Sequence, residues 1–200
     1  MLGQVMSRQY PTWVLRVARI VLFTVLIIIS AKVVIPIPGS PVPITTQTLA
    51  VLLTGMVLGP VEGIISVAVY LGMIAVGVPL DAFGFGAAAF ARPTAGYLIG
   101  FVPAAAVAGL AWRANERYKL LYNIVLGILG AAIIELSGMV GLYLLGVTHG
   151  SWVGAFSIGV VPFIFVDSGK AILAATLINL GRQSWLRWIT PHSAGNIGGH

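Results

Sequence analysis

The sequence predicts an all-α integral membrane protein, a single bundle of six transmembrane helices. Of its 200 residues, 58% are hydrophobic and only 8% are charged, whereas a soluble domain carries ~25% charged residues. The mean hydropathy is +1.02. A membrane span needs ~20 apolar residues, so the length allows about six spans and no separate soluble domain. The chain has no cysteine, which excludes disulfides and thiolate metal sites.

Six apolar segments follow one another, bounded by proline, glycine and charged residues. We predict one membrane domain, 1–200, with a polar C-terminal tail at 190–200 and spans at approximately 13–35, 44–59, 61–78, 93–111, 120–147 and 160–181. The first segment could instead be a cleaved signal peptide. However, its apolar stretch continues to Ile35 and no small-residue cleavage site follows, so we predict a retained helix.

Basic residues predict the orientation of the bundle. Six spans place eight of them on one side: Arg8, Arg16, Arg19, Arg113, Arg117, Lys119, Arg182 and Arg187. By the positive-inside rule that side is the cytoplasm, so both termini are cytoplasmic and the stretches 36–43, 79–92 and 148–159 face outward. All five tryptophans lie near predicted span ends, as interfacial anchors do. The net charge of +6 therefore indicates membrane orientation rather than nucleic-acid binding.

Two charged residues of the sixth segment indicate a binding site. A charge near the bilayer centre costs ~3 to more than ~10 kcal/mol, so a retained charge points to function. Asp167 and Lys170 are spaced i, i+3 and share one helix face. Together they offer an acceptor and a donor to a small polar ligand. The alternative is a structural pair that only neutralises itself.

Arg92 directly precedes Pro93, which we predict to be the first residue of the fourth helix. A guanidinium beside a helix N-terminus makes an anion site, and a ligand carboxylate fits there. The alternative is an arginine that binds lipid phosphate at the outer interface.

Two outward-facing stretches are candidates for enclosing a pocket. The stretch 36–43 has four prolines, which predict a rigid extended connection that is either a stiff turn or a pocket wall. The stretch 81–90 combines glycines with Phe83, Phe85 and Phe90. It suits a loop that closes over a ligand, or a connector whose aromatic rings lie in the membrane interface.

The remaining charges give weaker signals. Glu135, near the middle of the fifth segment, is conceivable as a proton-coupling site or as the partner of a cation. Lys32 fits a snorkelling interfacial residue, and we assign it no role. Glycines spaced four apart at 55, 59 and 63 and at 96 and 100 predict close helix contacts, within the bundle rather than with another subunit.

The sequence lacks the patterns of an enzyme or a nucleotide-binding protein. Gly169 and Lys170 are not in a phosphate loop, because Ile164 and Ala171 stand where that loop needs Gly and Ser or Thr. Histidines and acids form no metal or catalytic cluster. We therefore predict no enzymatic activity and no cofactor, and an energy source supplied by a partner or a gradient.

Three stretches carry distinctive patterns: 41–55 with VPIT-Q-TL, 91–101 with RPT-GYL-G, and 162–170 with the Asp-x-x-Lys pair. In this order they resemble the BioY family, the biotin-specific substrate-binding subunits (S components) of bacterial energy-coupling factor (ECF) transporters. The likeness spans roughly residues 20–182. It implies six helices in a bacterial cell membrane, capture of biotin from the outer face, and assembly with a transmembrane coupling (T) subunit and two ATP-binding subunits.

The resemblance also implies a biotin site containing Arg92, Asp167 and Lys170. Asp167 suits the ureido N–H groups, while Arg92 and Lys170 suit the carbonyl or the carboxylate, with the choice between them open. Weaker candidates are Tyr97 and the loop phenylalanines, Phe85 among them, for the apolar part and Asp81 for a polar contact.

The first helix lacks the small-xxx-small face that S components often present to the coupling subunit. Four residues after Ala18 stands Leu22, and four residues after Ala31 stands Ile35, so neither pair consists of two small residues.

The alternative function is a solitary gradient-driven carrier for biotin or another small carboxylate. A membrane-embedded enzyme is the third interpretation.

Overall fold

The computed structural model describes residues 12–113 and 119–189, with side chains described for 12–111 and 119–181. Several residues used above to predict orientation lie outside this range. They are Arg8, Arg117, the tail 190–200, and the side chains of Trp112, Arg113, Arg182, Trp185, Arg187 and Trp188.

The described chain is helical, which confirms the predicted all-α class. Its α-helices are α1 (Thr12–Ala31), α2 (Gln47–Ala75), α3 (Ala95–Gly109), α4 (Lys119–Leu144), α5 (Trp152–Gly159) and α6 (Ile164–Ile189). Two 3₁₀ turns, Gly86–Ala91 and Leu110–Arg113, precede and follow α3. In the described residues, four helices are long and apolar enough to cross a membrane, namely α1, α2, α4 and the 164–181 part of α6. The protein is therefore a multi-pass membrane protein.

Helix α2 is a hairpin of two helical arms rather than one rod. Gly59 has φ 80° and ψ 175°, and Pro60 follows it, so the helix breaks at this point. The side-chain amide of Gln47 donates a hydrogen bond to the Tyr70 hydroxyl at 2.8 Å. In a straight helix these two residues would lie ~34 Å apart along the axis. The arms 47–58 and 60–75 therefore run back along each other.

Glycines at positions 55, 63, 96 and 100 let the helices approach closely inside the bundle, as predicted, whereas Gly59 breaks α2 instead. A Cβ on Gly55 would lie 2.3 Å from the Ala105 carbonyl oxygen, and a Cβ on Gly96 would lie 2.3 Å from that of Ser137. Helix α3 thus packs between the α2 hairpin and α4, backbone against backbone. Short side chains are what allow this separation between transmembrane helices.

Two helices near the site begin a few residues later than the approximate predicted spans. Helix α3 begins at Ala95, two residues after Pro93. Arg92 is extended, at φ −108° and ψ 163°, because the ring of a proline disfavours the helical region for the residue before it. Helix α6 begins at Ile164 rather than at 160, because residues 160–163, which include Pro162, form a turn.

Stretches predicted as connections contain further structure. The prolines of 36–43 lie in the loop between two short strands, β1 (Val34–Ile35) and β2 (Ile44–Thr45), which pair antiparallel. Helix α5 lies within the stretch 148–159, and its first turn is capped by Ser151, whose hydroxyl accepts a hydrogen bond from the Gly154 N–H at 3.1 Å. Ala155 of this helix is fully buried, so α5 packs on the bundle.

One end of the bundle is fastened by charge. Glu62, just after the hairpin turn, accepts hydrogen bonds from Arg16 at 2.9 Å and from Arg19 at 3.1 Å, which ties the start of α1 to α2. Thr24 donates to the Ser66 carbonyl at 3.1 Å one turn further along. We refer to this as the arginine end, and to the end where α1 finishes as the site end.

Replacing Gly59 should destabilise the hairpin. Gly59→Ala creates no clash, because no atom lies within 4 Å of the added Cβ. However, the φ and ψ of this position belong to a region open essentially to glycine, and placing alanine there costs ~1–3 kcal/mol. We expect a lower thermal unfolding midpoint in detergent. The matched control is Gly72→Ala, which also meets no atom and lies in ordinary helix. An equal loss in both variants would contradict the role of the backbone conformation.

Candidate functional site

A cavity opens at the site end, where α2, α3 and α6 begin. The space inside it, counting the open solvent at its entrance, is about 550 Å³. Its polar lining residues are Thr45, Gln47, Thr48, Asp81, Thr94, Asp167 and Lys170. Its apolar walls are formed mainly by Tyr97, Leu98, Phe101, Ile134 and Phe163. The cavity is therefore apolar with one concentrated polar pole.

The polar pole is centred on the Asp167–Lys170 pair in the first two turns of α6. The Lys170 ammonium donates to Asp167 Oδ1 at 2.6 Å and to the Thr45 carbonyl at 2.6 Å. The Thr48 hydroxyl donates to Asp167 Oδ2 at 3.1 Å. Asp167 is buried and Lys170 is largely enclosed, with 5% of the Asp167 side chain and 12% of the Lys170 side chain exposed. The end of β2 and the first turn of α2 therefore hold the charges of α6 in place.

This pair satisfies itself and still has hydrogen-bonding capacity left. An ammonium has three donors, of which Lys170 uses two, and a carboxylate has about four acceptor sites, of which Asp167 uses two. The pair also lines the cavity. The pair can therefore accept hydrogen bonds from the N–H groups of a ligand and donate a hydrogen bond to a carbonyl of the same ligand.

Tyr97 contributes an apolar wall. Its hydroxyl donates to the Gly159 carbonyl at 2.7 Å. Its ring lies against Gly138, where any side chain would occupy the space of the ring. The ring centroid of Phe163 is 5.9 Å away. Because the hydroxyl is already engaged, the ring face is the part of Tyr97 that is free to contact a ligand.

Asp81 lies in the cavity wall, but its carboxylate is engaged with the backbone. Oδ1 accepts a hydrogen bond from the Gly86 N–H at 2.8 Å and Oδ2 accepts one from the Phe83 N–H at 3.1 Å. These bonds close residues 81–86 into a compact turn. We call residues 79–85 the site loop.

Arg92 and Phe85 lie beside the cavity rather than inside it. The Arg92 guanidinium stacks 3.8 Å above the centroid of the Phe85 ring, a cation–π contact. Both line a neighbouring groove with an empty volume of about 500 Å³, together with Pro41, Phe83 and Pro93. Thr94 lines the groove and the cavity alike, so Arg92 stands next to the cavity. Phe90 packs against the core instead.

The start of α2 contributes site residues that the sequence did not single out individually. Thr45, Gln47 and Thr48 all line the cavity, and Gln47 and Thr48 are buried. The sequence identifies them only as members of the VPIT-Q-TL pattern. The available signal was a run of four polar residues, 45–48, at the head of an otherwise apolar helix. The proline-rich stretch proves to be a wall, since Val42 and Pro43 line the cavity.

Glu135 lies near the site without lining the cavity. It is buried on α4 beside Ile134, which does line the cavity.

Comparison with known proteins gives consistent matches over most of the chain. A sequence model of the BioY family matches residues 6–187. Biotin transporter BioY of Thermotoga maritima is 36% identical over 157 residues, which cover 78% of this chain and 89% of that protein. The probable biotin transporter BioY of Pyrococcus horikoshii is 36% identical over 166 residues, covering 80% of this chain and 92% of that protein.

The fold is also similar to a solved structure. A crystal structure of the S component for biotin from an ECF-type ABC transporter superposes with a TM-score of 0.74 at 27% sequence identity. The match covers 85% of this chain and 92% of that protein.

Proposed function

The chain belongs to the BioY family, and on that premise we propose that it is the substrate-binding subunit of an ECF transporter, with biotin as its substrate. It is a transporter component and not an enzyme. The observation that carries the proposal is the buried Asp167–Lys170 pair, which lines an apolar-walled cavity and retains hydrogen-bonding capacity on both partners.

Biotin matches the chemistry of this cavity. Its ureido group has two N–H donors and one carbonyl, and the remaining acceptor sites of Asp167 and the third N–H of Lys170 complement these groups. Its fused ring and chain are apolar, and the rings of Tyr97, Phe101 and Phe163 offer apolar contact. We therefore assign the ureido group to the pole formed by Asp167 and Lys170.

Biotin carries its carboxylate at the opposite end of the molecule, and we assign this group to Arg92. The support is positional, since Arg92 stands beside the cavity and shares Thr94 with it, whereas Lys170 is engaged at the polar pole. A guanidinium can bind a carboxylate through two parallel hydrogen bonds. Stacking on Phe85 keeps the guanidinium near the surface, where Phe85 itself is exposed.

For the membrane arrangement we propose one domain of six spans. The two arms of α2 count separately, beside α1, α3, α4 and α6. Arg16 and Arg19 lie at the arginine end, which supports a cytoplasmic arginine end with cytoplasmic termini and an outward-facing site end. We place the protein in a bacterial cell membrane, with a T subunit and two ATP-binding subunits as partners.

A solitary gradient-driven carrier is the second candidate, because Glu135 is buried on α4 beside Ile134, which lines the cavity. Intramembrane carboxyl groups act as proton relays in such carriers. The two candidates share the binding site and differ only in the energy source.

Substitutions at the polar pole should abolish tight biotin binding. Asp167→Asn and Lys170→Ala each remove charge-assisted hydrogen bonds, worth ~1.5–3 kcal/mol apiece or roughly 10- to 150-fold in Kd. Equilibrium binding of biotin to the purified protein in detergent measures this loss. The control is Glu62→Gln, an acid-to-amide change at the arginine end. A folded wild-type protein that binds no biotin would remove the proposed substrate, and other small carboxylated vitamins would be screened next.

Removing the Arg92 side chain should weaken binding only of ligands that carry the carboxylate. We expect wild type to prefer biotin over biotin amide, and Arg92→Gln to bind both with similar affinity, because the charge-assisted contact is lost. Competition binding gives the ratio directly. Preference for biotin retained in Arg92→Gln but lost in Lys170→Ala would reverse the assignment of the two cations.

Biotin uptake should require the ATP-hydrolysing partners. In cells lacking other biotin uptake, we expect transport when this chain is produced with its T and ATP-binding subunits, and loss of transport when the ATPases are inactivated. Uptake by the chain alone that collapses with the proton gradient and in Glu135→Gln would instead support the solitary carrier. Glu62→Gln again serves as the matched acid-to-amide control.

A further inference from the structure

Lys32 ties the end of α1 to the site loop. It follows Ala31, the last residue of α1, and its ammonium donates to the backbone carbonyls of Pro79 at 3.1 Å and of Asp81 at 2.7 Å. A residue that only snorkels would direct its charge to water or lipid headgroups. Here the ammonium donates two hydrogen bonds to one backbone segment, 79–81, almost fifty residues further along the chain.

The site loop is closed on itself, so fixing one point fixes its shape. The Asp81 carboxylate bonds the N–H groups of Phe83 and Gly86. Gly86 has φ 56°, and a Cβ there would lie 2.6 Å from the Gly77 carbonyl oxygen. Gly77 and Gly86, which flank the site loop on either side, therefore lie in direct backbone contact. Lys32 bonds the carbonyl of the same Asp81 whose carboxylate organises the turn.

This loop forms one wall of the cavity and supports the mouth of the site, by which we mean Arg92 and Phe85 beside the cavity. Asp81 and Ala82 line the cavity, and Phe85 supports the Arg92 guanidinium. Beyond the loop, the 3₁₀ turn is held by burial of Ala89 in the core. Among the described residues, Lys32 is the only side chain of another element that hydrogen-bonds residues 79–85.

The end of α1 also holds the opposite wall. The Thr46 hydroxyl donates to the Ser30 carbonyl in the last turn of α1 at 2.9 Å. The neighbouring Thr45 carbonyl accepts a hydrogen bond from the Lys170 ammonium. One helix end therefore contacts both the wall that holds the Asp167–Lys170 pair and the wall formed by the site loop.

From this geometry we propose that Lys32 is a positioning residue of the binding site. Its ammonium holds the site loop against the cavity and slows escape of the bound ligand. The identity of that ligand rests on the proposed function above, whereas the anchoring of the loop does not. Charge-assisted hydrogen bonds to two carbonyls are suited to this role, because they are shorter and stronger than neutral ones.

The test compares wild type with Lys32→Met, which keeps a long unbranched side chain, one heavy atom shorter, and removes its donors. Hydrogen–deuterium exchange without ligand reports on the loop, and the dissociation rate of labelled biotin reports on the site. We expect faster exchange in peptides covering 79–86, unchanged exchange in α4, and biotin dissociation accelerated at least roughly tenfold, because Lys32→Met removes two charge-assisted bonds and the loss of one already accounts for about that factor. The association rate should change less.

Two further variants separate positioning from a general loss of stability. Lys32→Arg keeps the donors and should restore most of the loop protection and the slow dissociation. Arg16→Met removes one charge from the other end of α1 and should leave both readouts at wild-type values. Wild-type protection of 79–86 in Lys32→Met would overturn the proposal, as would dissociation unchanged from a wild type that binds biotin. If wild type binds no biotin, the proposed function fails while the exchange measurement still decides the anchor.

Discussion

The structure depends most on satisfying one ion pair inside an apolar bundle. Charges in a membrane protein have no bulk water to solvate them, so Asp167 and Lys170 need partners from the chain itself. The pair obtains them from the Thr45 carbonyl at the end of β2 and from Thr48 in the first turn of α2. This requirement fixes α6 against α2. It also places the hydrogen-bonding capacity that remains at the bottom of a cavity with apolar walls.

The hairpin in α2 and the glycine contacts make that meeting possible. Gly59 breaks the helix so that Gln47 reaches Tyr70, and the first arm, 47–58, presents its first turn to the cavity. Gly55 and Gly96 allow α3 to pack against backbone on both sides, which brings Tyr97 and Phe101 to the cavity wall. Rigid packing of this kind keeps a binding site in its productive shape without ligand.

The site divides into a buried pole and an accessible mouth. At the pole, Asp167 and Lys170 are almost fully enclosed. At the mouth, Arg92 rests on Phe85 beside exposed Phe83, and the mouth is supported by a loop rather than by a helix. A ligand with a polar head and a charged tail fits this division. Because Lys32 and Thr46 connect both parts to the last turn of α1, any displacement of that helix end acts on the whole site.

The sequence by itself determined the membrane class, the helical fold, the family and the charges at the polar pole, because hydropathy, charge placement and local motifs are properties of short stretches. Asp167 and Lys170 share a helix turn, so spacing alone put them together. Only the tertiary structure decided that Thr45, Gln47 and Thr48 complete their surroundings, that Arg92 stands outside the cavity, and that Lys32 holds the site loop. The physical reason is that each of these contacts joins residues far apart in the chain. Their meeting follows from how the helices pack, which no local pattern encodes.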